Sequence, residues 1–447
     1  MKVKVDYMLN VAMIFASPYR QGFPPRGMLY IVSYVKKYCE DIHFTCFDFI
    51  PDEDYDWNQF DVIGISCLTA HYAYADAFVK KIRSTYTGAI VLGGIHFSLV
   101  RRLPEWAEYG MFGEGEQTSL ELYRLLSENR HPTKEELEKI DGLAFRSGNE
   151  IIFNKERDLI KNLDEIPFAD LDAIDIEQYL RPNNTFGTRI GRGLSLVTSR
   201  GCAFNCEFCT ARAMWKGPRF HSAKYVVDEI EYLVKRYHVE MLYITDDNFC
   251  TNIRRLKEIA KLMEERQLPV TLGASGRIEY YNDEIRDCYR KMGIKALSFG
   301  FETGSDRMLK RIKNGQRLNV QQTIDMANRI ADDGIEVQGL YMMNMPGETE
   351  ADLDMTVEMI HRIHMSKLAI TIATPFYGTK WWDVAVAQGI VPEDPDDTFW
   401  ATYDLADWQP GRPLFKTEIS LQKLKETYTK LKEYRSQLFF FDWKNRD

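Results

Sequence analysis

Nowhere does an uninterrupted apolar run approach the roughly 18 residues a membrane-spanning helix requires, so a membrane protein is not expected. Positive charge is nowhere concentrated either. The formal net charge is −9, which argues against a nucleic-acid substrate, because phosphate backbones are met by clustered lysine and arginine. The opening MKVKVDYMLNVAMIFAS carries a short apolar patch but no cleavage pattern, and reads as a first strand rather than an export signal. Cysteine is scarce, with eight in 447 residues; without an export signal this excludes a disulfide framework and points to a reducing cytoplasm. Low-complexity segments and short repeats are missing as well. What remains, 45% hydrophobic and 28% charged residues, is ordinary for a soluble globular protein long enough to bury several cores.

Residues 1–130 alternate strand-like and helix-like runs. VAMIFAS (11–17), IHFTCFDF (42–49), DVIGISCL (61–68) and AIVLGGIHFS (89–98) are apolar or alternating. Between them, PRGMLYIVSYVKKY (25–38) and HYAYADAFVKKIRSTY (71–86) have helical spacing. This pattern predicts a parallel, doubly wound sheet with its ligand site at the carboxyl ends of the strands. Residues 131–192 are polar and proline-interrupted, with a hairpin-like LAFRSGNEIIFN, and read as a surface connector. From 193 to 390 the alternation returns. Six strand candidates, LSLVTS (194–199), MLYITD (241–246), VTLGAS (270–275), ALSFGFE (296–302), VQGLYMM (337–343) and LAITIAT (368–374), have helices between them. Six β-α units predict a partial TIM-like barrel, with its chemistry on the loops after the strands. Residues 391–447 read as a small C-terminal helical extension that could shape a substrate pocket.

Three of the eight cysteines, Cys202, Cys206 and Cys209, fall within GCAFNCEFC, directly after the first barrel strand. A structural zinc site would want a fourth ligand and favours paired C-x-x-C motifs; no partner pair follows, and His221 stands alone. Three buried, ligand-free cysteines seldom cluster this way. A [4Fe–4S] cluster held by three thiolates suits the triplet, leaving one iron open for catalysis.

The motif C-x-x-x-C-x-φ-C, with Phe208 as φ, after the first strand of a six-unit barrel resembles the radical S-adenosylmethionine (SAM) superfamily. The resemblance implies that the open iron chelates SAM, and that one electron from the cluster cleaves it to methionine and a 5′-deoxyadenosyl radical. It implies further site residues. Asp246 and Asp247 in TDDNF would meet the SAM ammonium, although Asp and Asn also serve there as helix caps. Glu302 in SFGFETGSD would meet the ribose; a carboxylate in an apolar strand is costly without a partner. The backbone of GLYMMNMPGETEAD, at Tyr341 and Met343, would pair with adenine, with Asn344 where glycine is more usual. For the SAM carboxylate, KRIKNGQ places Asn314 where the family carries a cation; Lys313 and Arg277 are the candidates. TPFYGT (374–379) matches the sixth-strand turn.

The first 130 residues resemble the Rossmann-like cobalamin-binding domain that precedes many such barrels. Gly93 and Gly94 would admit a nucleotide tail close to backbone. Ser66, Thr69 and His96 would lie beside it, and Gly113, Glu114 and Gly115 form a tight strand-to-helix turn. DIHFTC lacks the glycine of D-x-H-x-x-G, so His43 reads as structural, His71 as a helix-start residue, and the lower cobalt face as free of histidine.

The reading is a cytoplasmic, cobalamin-dependent radical SAM C-methyltransferase. Its substrate would be a small natural product or a residue of a protein or peptide, and its electrons would come from a ferredoxin or flavodoxin. Nucleic acid and membrane are not expected partners. A non-methylating radical enzyme performing rearrangement, dehydration or ring closure is the alternative. A cluster-based redox sensor would need no adenosyl site, and a zinc module lacks its fourth ligand.

Overall fold

The computed structural model describes residues 8–51, 55–180, 191–313, 315–403 and 414–438. The chain forms two compact units. One comprises Met1–Tyr179 with Asp394–Gly411, the other Leu180–Glu393 with Arg412–Asp447.

In the first unit, β1 (Leu9–Phe15), β2 (Ile42–Phe47), β3 (Val62–Ser66), β4 (Ala89–Gly93) and β5 (Tyr109–Met111) run parallel in the order β2-β1-β3-β4-β5. Their apolar runs are near-continuous because the sheet interior is dry: Val11, Ile14, Ile63, Ile90 and Leu92 are fully buried. Helices α1 (Arg26–Tyr38), α2 (Tyr72–Ile82), α3 (Ile95–Val100) and α4 (Gly115–Glu128) make the crossovers. The strand order reverses between β1 and β3, which puts the switch point, where ligands of such sheets bind, beside Phe15 and Ser66. The stretch expected as a connector does more than connect. Its hairpin, β6 (Leu143–Ser147) and β7 (Glu150–Phe153), extends the same sheet antiparallel from β5. The tail also returns to this unit: Tyr72 donates from its hydroxyl to Asp397 Oδ1 at 3.3 Å, at the start of the helix Asp397–Thr402.

In the second unit, β8 (Gly193–Leu196) is followed by a two-stranded ribbon, β9 (Ser199–Arg200) and β10 (Arg219–Phe220). Strands β11 (Met241–Ile244), β12 (Thr271–Gly276), β13 (Ile294–Glu302), β14 (Glu336–Met343) and β15 (Lys367–Ile372) complete an all-parallel sheet in the order β15-β14-β13-β12-β11-β8. This is the expected partial barrel. Crossover helices begin at capping residues: Ser222, Asn252, Asn282, Asn319, Thr349 and Thr379 each accept a backbone N–H from the first helical turn. These caps fix where each strand-to-helix loop ends, and so where the site can lie. The long helix Leu421–Leu438 packs along β15. Among the described residues, no helix is long and apolar enough to cross a membrane.

Candidate functional site

The cysteine loop leaves β9 through Gly201, which is held at φ 87°; a Cβ there would lie 2.5 Å from the Gly217 carbonyl oxygen, so only glycine makes this turn. Cys209 N–H donates to the Cys206 carbonyl at 3.2 Å, winding the loop into a single turn. All three thiols are partly exposed. Burial pushes the Cys206 thiol up, opposed by the nearby cations Lys313 and Arg277. It pushes Cys209 up to about 11, opposed by the Ala211 N–H. Iron would therefore have to displace protons, so loading should be easier at higher pH. Among the described residues, no three His, Cys, Asp or Glu side chains converge to hold a single ion. A cluster makes no such demand, because each thiolate takes a different iron. Phe208 anchors the loop against Trp381, with ring centroids 5.4 Å apart.

The paired carboxylates after β11 divide their work. Asp246 is 3% exposed. Its Oδ1 accepts from Thr198 N (2.6 Å) and Ser199 N (3.1 Å), and its Oδ2 from the hydroxyls of Thr198 (2.5 Å) and Ser199 (2.6 Å). Burial pushes this carboxyl up, against the pull of Arg255 and those donors. Asp246, expected from the sequence to meet the SAM ammonium, thus has both oxygens engaged at the base of the cysteine loop. Asp247 is exposed and, among the described residues, accepts only the Gly201 N–H, at 3.0 Å, leaving acceptor capacity for an ammonium. Beside them, Asn248 is 1% exposed, and neither atom of its amide finds a partner among the described residues. A buried amide without hydrogen bonds is expensive unless a ligand completes it.

Glu302 ends β13 at φ 66°, where the register with β14 slips. A left-handed, buried glutamate is strained, and such strain gathers where a side chain must be aimed. Burial pushes its carboxyl up; Lys313 and Arg277 oppose this by charge alone. Lys313 donates to the Gly300 carbonyl at 2.6 Å. Arg277 is committed to Glu279 at 2.6 Å and stacks over Phe204 at 3.8 Å. Asn314 lies outside the described residues. Tyr341, paired in register with Glu302, is buried, and its hydroxyl has no hydrogen bond among the described residues. The Met343 carbonyl is taken by Ala373 N–H at 2.8 Å. Asn344 sits at φ 62°, which explains the usual glycine, since Asn is among the few residues that tolerate this region. Its amide does something no glycine could. It donates to the Phe415 carbonyl at 3.1 Å and accepts from Thr417 Oγ1 at 2.8 Å, pinning the tail over the end of β14.

In the first unit, Ser66 and Gly93 are register neighbours at the carboxyl ends of β3 and β4. A Cβ at Gly93 would meet nothing nearer than 3.9 Å, whereas at Gly94 (φ 94°) it would strike the Cys67 backbone at 2.6 Å. Gly94 thus serves the turn, and Gly93 is the position free to admit a ligand. Three expected cobalamin contacts are engaged internally. His96, 2% exposed, packs on Tyr72 and Trp400, and its Nδ1 faces Thr69 Oγ1 at 3.4 Å; burial pushes it down to about 3, so it is neutral. Thr69 is buried in that contact. The Glu114 carboxylate accepts Ile160 N–H at 2.7 Å, tying down the connector. Gly113 (φ 79°) has open space around its α-carbon, and Gly115 begins α4. His43 is exposed on the edge strand β2; His71 packs edge-on to Phe15 at the switch point, with Nδ1 buried and unbonded.

A partial barrel with a three-cysteine loop after its first strand, and acidic groups at the ends of its second and fourth, defines a class. Residues 196–360 match the Radical SAM superfamily, so the second unit carries a radical SAM domain. It is 29% identical over 388 residues to an uncharacterized methyltransferase, PH0819, of Pyrococcus horikoshii, covering 82% of this chain and 80% of that one. It is 24% identical over 438 residues to cytidylyl-2-hydroxyethylphosphonate methyltransferase of Streptomyces wedmorensis (89% and 78% covered). An anaerobic magnesium-protoporphyrin IX monomethyl ester cyclase of Cereibacter sphaeroides is 26% identical over 354 residues, 76% of this chain and 56% of the cyclase. The fold is also that of the radical SAM methyltransferase TsrM from Kitasatospora setae, solved with cobalamin and a [4Fe–4S] cluster: TM-score 0.69, 17% identity, 86% of this chain and 75% of that one.

Proposed function

We propose that this enzyme is a cobalamin-dependent C-methyltransferase acting on an unactivated carbon of a small molecule or of a polypeptide residue. The carrying observation is that one chain joins a radical SAM domain to a 2-1-3-4-5 sheet whose switch-point edge presents Ser66 and an unobstructed Gly93. Methyltransferases among its relatives, and the cobalamin bound to TsrM, support the reading.

When bound, the cluster supplies the electron that opens SAM to a 5′-deoxyadenosyl radical, and cobalamin supplies the methyl carrier. Cys202, Cys206 and Cys209 would hold the cluster, with Asp246 fixing their loop. Asp247 would take the SAM ammonium and Glu302 the ribose hydroxyls. Lys313 would offset the negative charge of the SAM carboxylate. The Asn248 amide would complete its hydrogen bonds on the same ligand. Ser66 and Gly93 would receive the cobalamin tail.

The test is turnover with methyl-labelled SAM. Label should reach the product, with 5′-deoxyadenosine and S-adenosylhomocysteine formed in similar amounts. Formation of 5′-deoxyadenosine with the true substrate but without methyl transfer would favour a ring-forming or rearranging enzyme, the reading that the cyclase relative supports.

A further inference from the structure

Beside the cysteine loop the second unit carries a cavity of about 200 Å³ whose lining is strongly basic: Lys310, Arg311, Lys313 and Lys380 face a single acid, Glu207. Arg311 and Lys380 reach Glu207 only at 3.9 Å each, and Lys310 pairs with no carboxylate among the described residues. The three cations other than the buried Lys313, which faces Glu302 and Glu279 as well, leave a local excess of two positive charges over Glu207 in a chain whose net charge is −9. Lys310, Arg311 and Lys380 are exposed. Asn205 and Glu207, which also line the cavity, flank Cys206 in sequence. Positive potential is therefore focused on the outer edge of the loop that would hold the cluster.

Resting on the radical SAM reading, we propose that this basic edge is the docking surface for the electron donor, a small acidic one-electron carrier of the flavodoxin type. An acidic face would be steered to it over roughly a Debye length, and the cavity has room for one or two carboxylate side chains. The step balances with one electron. The flavin hydroquinone anion becomes the neutral semiquinone, the oxidised cluster becomes the reduced one, and no proton moves.

The measurement is anaerobic stopped-flow reduction of the cluster-loaded enzyme by flavodoxin hydroquinone. The reversal variant is Lys310→Glu with Lys380→Glu, the neutral variant Lys310→Gln with Lys380→Gln. A charge-matched control is Lys261→Glu with Lys295→Glu, at exposed sites outside the cavity lining. At low salt the reversal should slow the second-order rate by about tenfold or more and the neutral pair by less, while the control stays near wild type. Raising the salt should slow wild type steeply and the reversal variant little. Iron content, and the fraction of cluster reduced after prolonged excess dithionite, should be equal in all, which separates a docking defect from loss of the site. An unchanged rate in the reversal variant, or a control slowed as much, would overturn the docking surface while leaving the radical SAM reading intact. Absence of any reducible cluster in wild type would instead remove the reading beneath it.

Discussion

Replacing Asp246 separates a clamp from a ligand. In Asp246→Ala, the buried backbone N–H groups of Thr198 and Ser199 lose the carboxylate oxygen they share, and both hydroxyls lose theirs. Each orphaned buried donor costs roughly 1–3 kcal/mol, so the two backbone groups alone make the loss about 2–6 kcal/mol. Asp246→Asn should be milder, at about 1–2 kcal/mol, because the amide oxygen can still accept from both N–H groups and the hydroxyls can rotate to accept from the amide nitrogen. The clamp holds the base of the cysteine loop, so the alanine variant should also lose iron. Asp247→Ala removes one contact, to Gly201, and should keep both stability and iron while binding SAM more weakly. Denaturant unfolding, iron analysis and SAM titration on the three variants read these effects apart. A stable, iron-replete Asp246→Ala protein with SAM affinity reduced tenfold or more would refute the clamp and restore Asp246 as a ligand.

Three further outcomes follow from other residues. Changing Cys202, Cys206 and Cys209 to Ala should remove about four irons per chain, measured after anaerobic reconstitution, while the other five cysteines can be replaced without iron loss. Glu302→Gly should leave stability unchanged or raise it by about 1 kcal/mol, because glycine is at ease at φ 66°, yet weaken SAM binding about ten- to a hundredfold; unchanged affinity would remove Glu302 from the site. Burial pushes the Glu348 carboxyl up to about 7. A group protonated more readily when folded loses stability as pH rises from about 4.3 to about 7, at most about 3–4 kcal/mol, and the loss is constant above that. Glu348→Gln should flatten the stability–pH curve across this window, measured by denaturant unfolding.

The strands and their order of chemistry were legible because both are local. Apolar runs bounded by turn residues marked all six barrel strands, and the cysteine spacing marked the loop after the first. What escaped the sequence are contacts over long separations. Nothing in TDDNF distinguishes Asp246 from Asp247; the hydroxyls that saturate Asp246 lie 47 and 48 residues earlier, although VTSRGC, with two hydroxyls just before the cysteines, was a readable hint. Asn344 was visible as an anomaly in place of glycine, but its partners Phe415 and Thr417 lie 71 and 73 residues on. The basic edge escaped for the same reason: Lys380 lies far along the chain from the KRIK run of Lys310, Arg311 and Lys313, and only the fold brings them together. The burial of His96 was not legible in GGIH either, because the Tyr72 and Trp400 rings that enclose it come from other parts of the chain.

The central claim, a radical SAM site and a cobalamin site in one chain, is tested most directly by metal analysis of the protein after anaerobic reconstitution with iron, sulfide and hydroxocobalamin. The account predicts about four irons and about one cobalt per chain, with the cobalt lowered in Gly93→Ala at unchanged iron. Stoichiometric zinc in place of iron would contradict the first half, and iron without cobalt the second.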